Sequence, residues 1–576
     1  MAKALKRKRS NERTVTPNIS LRANIYDEGA EAAYLEIAFL DEDGDMQTLL
    51  IDRAQIRDIK KIDEVLHKRN AALPRDKEEL GTLLRGLQTA EPKYKRRLAA
   101  KVGWQPQKSL LFVRHPGVSG DQVGDRALRP PMWVKDARHR GRVKGSFEQW
   151  QAKIAPLVRY SSRFQLTLAA VCAAPLTRLV GLQPFAIVLF GQSSLGKSSA
   201  VLVACSAQGM GAKEEIPNWD VSPSGFHELA RTFNDHMLAV DELGASELPR
   251  DEVYRLVRRV TYQYAEGADA TRNSKSAFAT SRDEADAKGI LITTSEKSFD
   301  ELASIYGETR DPGEIARAFN VPAASPGAIS IFDLLPDNIQ GDAVSEWLNE
   351  QFEAIRDNCR KYKGAAFRHY MDFITAMPRD KLVEDVRASM KEFESALELK
   401  TSFRALLHAA KNFGLLYAGG VLGIEAGLLP VTKRRLRMSL IACFRDGTEL
   451  IVTPEALEKA AVEQLSTGMK ALRLRPKSEL VGATDAKGFT RPLSTSDQRK
   501  LVAVDPIMFR SWFSTAAHFD ALIRRLHAQG GLMLTEGTIL SEGSISMDCV
   551  VSFEKLTDRH GKRHNRRWIR FIEPDV

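Results

Sequence analysis

The residues with the clearest chemical potential are Gly191-Gln192-Ser193-Ser194-Leu195-Gly196-Lys197-Ser198, followed by Ser199. They fit the spacing G-x-x-x-x-G-K-[ST], in which backbone N–H groups wrap around phosphates and the next helix N-terminus adds a favourable field for anions. In that arrangement Lys197 reaches the β- and γ-phosphates of ATP as a point charge, and the Ser198 hydroxyl binds Mg²⁺. A metal-side carboxylate is then needed on a neighbouring strand. The run Met237 to Leu243, MLAVDEL, supplies Asp241 for the metal and Glu242 to polarise the attacking water. Two adjacent acids favour hydrolysis over simple binding. A third apolar run, from Gly289, ends in Thr293-Thr294-Ser295-Glu296. Ligands of open α/β sheets sit at strand C-terminal ends, so Thr294 or Ser295 is placed to touch the γ-phosphate or the water. Arg310 and Arg317 follow, either of which would neutralise the charge that develops on the transferred phosphoryl group.

These groups need a frame. Phe185 to Phe190 is a short continuous apolar run, as in a buried parallel strand, and SAVLVACSA after the loop has a helical pattern. Strand, glycine loop and helix therefore occur in the order a phosphate-binding loop requires. Ahead of them, YLEIAFLDEDGDMQTLLI reads as a hairpin turning at Asp43-Gly44-Asp45, a helix follows from about Lys77 to Leu87, and Pro116 to Gly145 reads as a linker. Ser146 to Leu182 is helix-rich. Near the C-terminus, Phe519 to Gln529 is amphipathic, with Leu522, Ile523 and Leu526 on one face. Gly530-Gly531 ends it, GLML starts a strand, and basic hairpins with turns at Gly543 and Gly561 follow. That order suggests a winged-helix module. The expected organisation is a multidomain α/β chain: a basic tail 1–13, an α+β domain 14–145, a P-loop ATPase core 146–335 with a parallel sheet and flanking helices, a helical region 336–500 and a winged-helix-like module 501–576.

The chain has 576 residues, too many for one core, with 43% hydrophobic and 27% charged residues, an ordinary globular balance. Eighty-four Lys and Arg against 74 Asp and Glu give a net charge of +10, a mild excess that permits a polyanionic partner. Basic residues cluster in Lys135–Lys144, in Lys433-Arg434-Arg435-Leu436-Arg437, and in Lys555–Arg570 with Trp568 interleaved. The first two read as solvated faces. The last reads as a phosphate-contacting surface on DNA, with partner docking as its rival. Five scattered cysteines without a Cys-x-x-Cys pair argue for free thiols in a reducing compartment and against a zinc ribbon. The longest apolar stretch, Phe413 to Pro430, is broken by glycines and a glutamate, so no membrane span is expected. A soluble, cytoplasmic protein is the expectation.

From about Ala23 to Pro430 the chain resembles the bacterial and phage family called domain of unknown function 927, whose helicase-like members occur in phage and mobile-element replication proteins. The resemblance rests on Gly103-Trp104, Gly145-Ser146-Phe147-Glu148-Gln149-Trp150, the loop GQSSLGKSS, Asn218-Trp219-Asp220, Phe226-His227-Glu228-Leu229-Ala230, Asn234 to Leu238 ahead of Asp241-Glu242, and Tyr262 to Arg272. Thr294-Ser295-Glu296 resembles the family's polar element after the third strand but lacks its middle glycine. Arg317, five residues before Pro322, falls at the family's arginine position and so ranks above Arg310. The core order is also similar to superfamily-three helicases of the AAA+ type. That likeness implies an arginine acting on the neighbouring subunit, hence a ring, six subunits in those relatives. It implies an ATP-hydrolysing motor on single-stranded or forked DNA, working beside a separate primase, since no zinc-ligand cysteine cluster is present here. The alternative is an ATP-gated scaffold or signalling switch of mobile-element or defence systems that unwinds nothing.

Overall fold

The computed structural model describes residues 19–573 except 29–30, 43, 45, 93, 107–108, 115–116, 122–126, 131–141, 246–253, 260, 262–263, 265–286, 307, 309, 450, 452–453, 481–484, 495, 498, 514–515, 536–539, 541–544 and 558–559. The basic tail, residues 135–141 of the cluster Lys135–Lys144, most of Tyr262–Arg272 with Arg272 itself, and Gly543 lie outside the described residues.

Alternating apolar residues in Ala32–Leu40 and Met46–Asp52 produce the expected antiparallel hairpin, with Leu40 paired to Met46. It joins Ser20–Asp27, Tyr94–Leu98 and Ala127–Arg129 in a five-stranded mixed sheet. The helices Ile59–Lys68 and Lys77–Thr89 cover one face, burying Ile62, Leu66, Leu84 and Leu87 against Ile37, Phe39 and Ile51. Asp58 and Asp76 start these helices by accepting hydrogen bonds from backbone N–H groups of their first turns. The stretch read as a linker contributes strands at Gly117–Gly120 and Ala127–Arg129, because their backbone completes sheet edges that would otherwise lack partners.

Four strands form a parallel sheet in the order His236–Val240, Gly289–Ser295, Phe185–Phe190, Ala318–Pro322. Strands buried on both faces require apolar runs, and FAIVLF and the Met237–Val240 part of the neighbouring strand are such runs. The helices Ser162–Ala173 and Lys197–Gln208 lie among the most buried elements of the chain. Trp150, fully buried on the helix Phe147–Lys153, donates from Nε1 to Ser206 Oγ at 3.0 Å and so ties that helix to Lys197–Gln208. Gly103-Trp104 ties the N-terminal region to the parallel sheet: Trp104 N donates to Asp235 Oδ2 at 3.0 Å, and Trp104 Nε1 to Pro175 O at 2.6 Å.

Contacts divide the chain into two compact units, Met1–Thr448 and Glu449–Val576, rather than at 336 and 501. The first difference has a packing cause. Arg404–Glu425 lies so close to Ser162–Ala173 that a Cβ on Gly419 would come within 2.5 Å of the Ala173 backbone, so the helical region through Thr448 shares the core of the parallel sheet. Phe413 to Pro430 is thus mostly a buried core helix. No helix among the described residues is long and apolar enough to cross a membrane.

The second difference arises because the C-terminal sheet starts early. Its five strands run Arg475–Pro476, Gly488–Pro492, Lys500–Val504, Arg563–Ile572, Val551–Thr557. The helix Ala516–Ala528 buries Leu522, Ile523 and Leu526 against one sheet face, as its pattern predicts. The five-stranded sheet is larger than the wing of a winged helix, and GLML forms only a bridge between Leu532 and Phe571 rather than a strand.

Candidate functional site

Gly191 leaves the strand Phe185–Phe190 with φ +146°, and Gly196 enters the helix Lys197–Gln208 with φ +100°. A Cβ at Gly196 would come within 2.7 Å of Ile331 and 2.8 Å of the Phe352 ring, so both backbone and space demand glycine there. Between them Ser194 holds φ +68°, and Leu195 O accepts a hydrogen bond from Ile331 N at 2.8 Å. Lys197 folds back over the loop, donating from Nζ to Gly191 O at 2.6 Å and Gln192 O at 2.8 Å. Burial pulls its pKa below the ordinary lysine value, against the opposing pull of Glu296, Asp241 and Glu242.

The next two strands bring up the acids. Asp241 is buried and its Oδ1 accepts from Thr294 Oγ1 at 2.5 Å and from Ser198 Oγ at 3.3 Å. Its Oδ2 is buried without any hydrogen-bond partner among the described residues. An orphaned carboxylate oxygen beside a serine hydroxyl is a costly arrangement that a hard cation would relieve, so these residues fit Mg²⁺. Thr294 Oγ1 also accepts from Glu242 N at 2.8 Å, which links the two acids through one hydroxyl. Glu242 stands in the left-handed region with φ +54°. Its exposed carboxylate pairs with Lys213 Nζ at 3.0 Å, and that bond raises the lysine pKa. Ser295 accepts at Oγ from Lys297 N, and its carbonyl receives Gly191 N at 3.2 Å, so Ser295 sits directly against the loop.

Ser193, Ser194, Gly196, Lys197, Ser198, Ser199, Glu242, Thr294 and Ser295 all line one open cavity of about 730 Å³. Its far wall is the helix Ala343–Lys361, through Asn349, Phe352, Glu353 and Arg356. Neither this wall nor Lys213 was foreseen. A solvent-facing helix carries no mark of which polar residue faces a cavity.

Arg317 is not part of this group. It ends the helix Pro312–Arg317, donates to Gly313 O at 3.1 Å, and precedes the strand Ala318–Pro322. Ala318 is level with Ala186, whereas the loop begins beyond Phe190, level with Pro322. One strand length, about 16 Å, separates the two ends of the sheet. At its own end Arg317 lines a second cavity of about 580 Å³ with Arg404, His408 and Lys411. Arg310 is tied into the fold: its side chain is 2% exposed, pairs with Asp300 at 3.0 Å, and donates to the carbonyls of Glu314 and Ala318.

Of the basic clusters, Lys433 and Arg437 pair with Glu425 and Glu392 within the same unit, as a solvated face would. Trp568 is fully buried and presents no surface to a ligand.

The family model described as "Domain of unknown function (DUF927)" matches residues 2–282. The matched segment includes the glycine loop, Asp241 and Glu242, and ends before Thr294, Ser295 and Arg317, short of the Pro430 to which the sequence resemblance extends. No curated protein matches the chain. Among solved structures, one titled "SCCmec type IV Cch - active helicase" is similar with a TM-score of 0.59 and 14% identity, covering 96% of this chain and 93% of that one. This likeness is one of fold. Another, titled "The A form apo structure of NrS-1 C terminal region-CTR", aligns with a TM-score of 0.24 and 11% identity over 76% of this chain and 91% of that one, too low to support an argument.

Proposed function

We propose that this chain is an ATP-hydrolysing ring motor acting on nucleic acid, of the helicase or translocase type used by phages and mobile elements. The observation that carries the reading is the buried, unpartnered Asp241 Oδ2 beside Ser198 and Thr294, at the mouth of a strand–glycine loop–helix unit. The fold likeness to a solved helicase of a mobile element supports the same class.

In this reading the loop Gly191–Ser199 cradles the ATP phosphates with its N–H groups and the helix N-terminus. Lys197 leaves the Gly191 and Gln192 carbonyls and turns to the β- and γ-phosphates. Ser198 and Asp241 hold Mg²⁺, which neutralises phosphate charge when bound. Glu242 leaves Lys213 and orients water, with its backbone held by Thr294. Ser295 lies within reach of the γ-phosphate side. Arg317, at the opposite end of the sheet from its own loop, serves the nucleotide of a neighbouring subunit. A second subunit is therefore part of the site, and closure of such head-to-tail contacts gives a ring, six subunits in the related helicases. Single-stranded or forked DNA is the substrate in this reading, with a primase as a separate partner and the cytoplasm as the working compartment.

Binding and turnover of ATP by Lys197→Ala test the site. The expected result is weakened nucleotide binding and lost turnover in a folded protein. Unchanged ATP affinity would remove the phosphate-loop assignment. Stimulation of wild-type turnover by single-stranded DNA separates a motor from an ATP-gated scaffold.

A further inference from the structure

The hairpin Val551–Thr557 and Arg563–Ile572 has two faces of different character. On one, Leu556 and Trp568 are buried with Phe489, Leu480 and Ala503. On the other, Val551 and its partner Ile569 close the main core of the unit. Beyond that pair the same face continues outward as Phe553 opposite Arg567, Lys555 opposite Asn565, and Thr557 opposite Arg563. Phe553 is 56% exposed. Lys555, Asn565 and Arg563 are exposed too. No ion-pair partner of Lys555 or Arg563 is found among the described residues. Arg567 pairs with Asp548, but both side chains are more than half exposed, so the pair is weak and exchangeable. The hairpin's own acid, Glu554, faces the other way, into Lys477, Arg491 and Arg570.

We propose that this outer face is a stacking platform for single-stranded nucleic acid, with Phe553 as the ring on which a base lies. The inference deepens the nucleic-acid reading above and rests on it. An exposed phenylalanine on a flat strand offers a π-face at little entropic cost. Cations on both flanks offer phosphate contacts on either side of the stacked base. Asn565 and Thr557 add neutral donors and acceptors for base edges. Duplex DNA hides its base faces, so the ring selects single strands. An acidic peptide would use the cations but leave Phe553 idle. Arg-rich strands alone would bind phosphates of any strand. The ring between them makes the difference, and its position follows from the period-2 alternation of Val551, Phe553 and Lys555.

Ultraviolet crosslinking of the full-length chain to an oligothymidylate carrying 5-iodouracil tests the platform, with the adduct mapped by mass spectrometry. The adduct is expected on Phe553. Phe553→Leu should abolish it while leaving basal ATP turnover unchanged, and Phe553→Tyr should retain it. Lys555→Ala with Arg563→Ala should weaken crosslinking roughly tenfold and flatten its salt dependence. Since all three side chains are exposed, their replacement leaves the core intact. Crosslinks found only elsewhere on the chain would overturn the platform and spare the motor reading. Duplex DNA competing as well as single strands would likewise overturn it. Absence of any nucleic-acid binding would overturn both readings.

Discussion

Thr294 joins the two acids at the centre of the site. Its one hydroxyl donates to Asp241 Oδ1 and accepts from Glu242 N. Thr294→Val keeps the shape and removes both bonds. ATP binding should stay within a few-fold, because the loop and Lys197 are untouched. Turnover should fall by about 10²-fold as Glu242 loses its fixed position, an effect of the size seen when a general base is misplaced. Removing the nearer of the two donors to the buried Asp241 Oδ1 should cost about 1 kcal/mol of stability, read by denaturant unfolding. Turnover within threefold of wild type would show that Thr294 only packs. This hydroxyl was legible in the sequence as a polar residue at a strand end, and Lys197, Ser198, Asp241 and Glu242 were legible from spacing. Arg310 was open until its burial against Asp300 made it structural. Lys213 and Arg356 were not legible, since each is brought to the cavity by an element whose direction only tertiary packing determines.

Individual elements followed their patterns where one force dominated. Phe185–Phe190 and Lys77–Thr89 sit where apolar runs and an Asp76 cap put them. Boundaries failed where distant strands decide membership, as with Arg475–Pro476 and Gly488–Pro492 in the C-terminal sheet. Trp568 misled for a related reason: where one face of a hairpin packs against a core, an aromatic among arginines can point inward. Phe553, one strand away, points out. The start of the strand His236–Val240 also carries a pH dependence. His236 is buried between Phe112 and Phe367, and burial lowers its pKa to about 4, with Arg114 adding to the effect. The unfolded chain therefore binds this proton near the ordinary histidine value while the folded one does not. Stability is full above about pH 6.5 and declines as pH falls toward 4. The contribution between pH 6.5 and 5 is about 2 kcal/mol. Neighbouring Asp235, whose own pKa is raised by burial, opposes this at the acid end. Melting of wild type and His236→Gln at pH 7.5 and 5 isolates the histidine: the mutant should lose less stability on acidification. Equal losses would contradict the assignment.

At the scale of the whole molecule, the distance between Arg317 and the glycine loop is the main fact. The two lie at opposite ends of one parallel sheet, so in the proposed motor Arg317 can act only on the nucleotide of a neighbouring subunit. An arginine of this kind contributes about 10³–10⁵ in turnover at phosphoryl-transfer sites. Arg317→Ala should bind ATP almost normally, assemble, and fail to hydrolyse. Glu242→Gln should also bind ATP and stall, because its amide cannot accept the water's proton. Each mutant keeps the part the other lacks. The deciding measurement is ATP turnover by rings assembled from co-expressed Arg317→Ala and Glu242→Gln chains, with single-stranded DNA present. The account predicts recovered, DNA-stimulated turnover, since an intact Glu242 in one subunit then faces an intact Arg317 in the next. Mixed rings that stay inactive, while rings of either mutant diluted with wild type recover in proportion, would contradict the shared site.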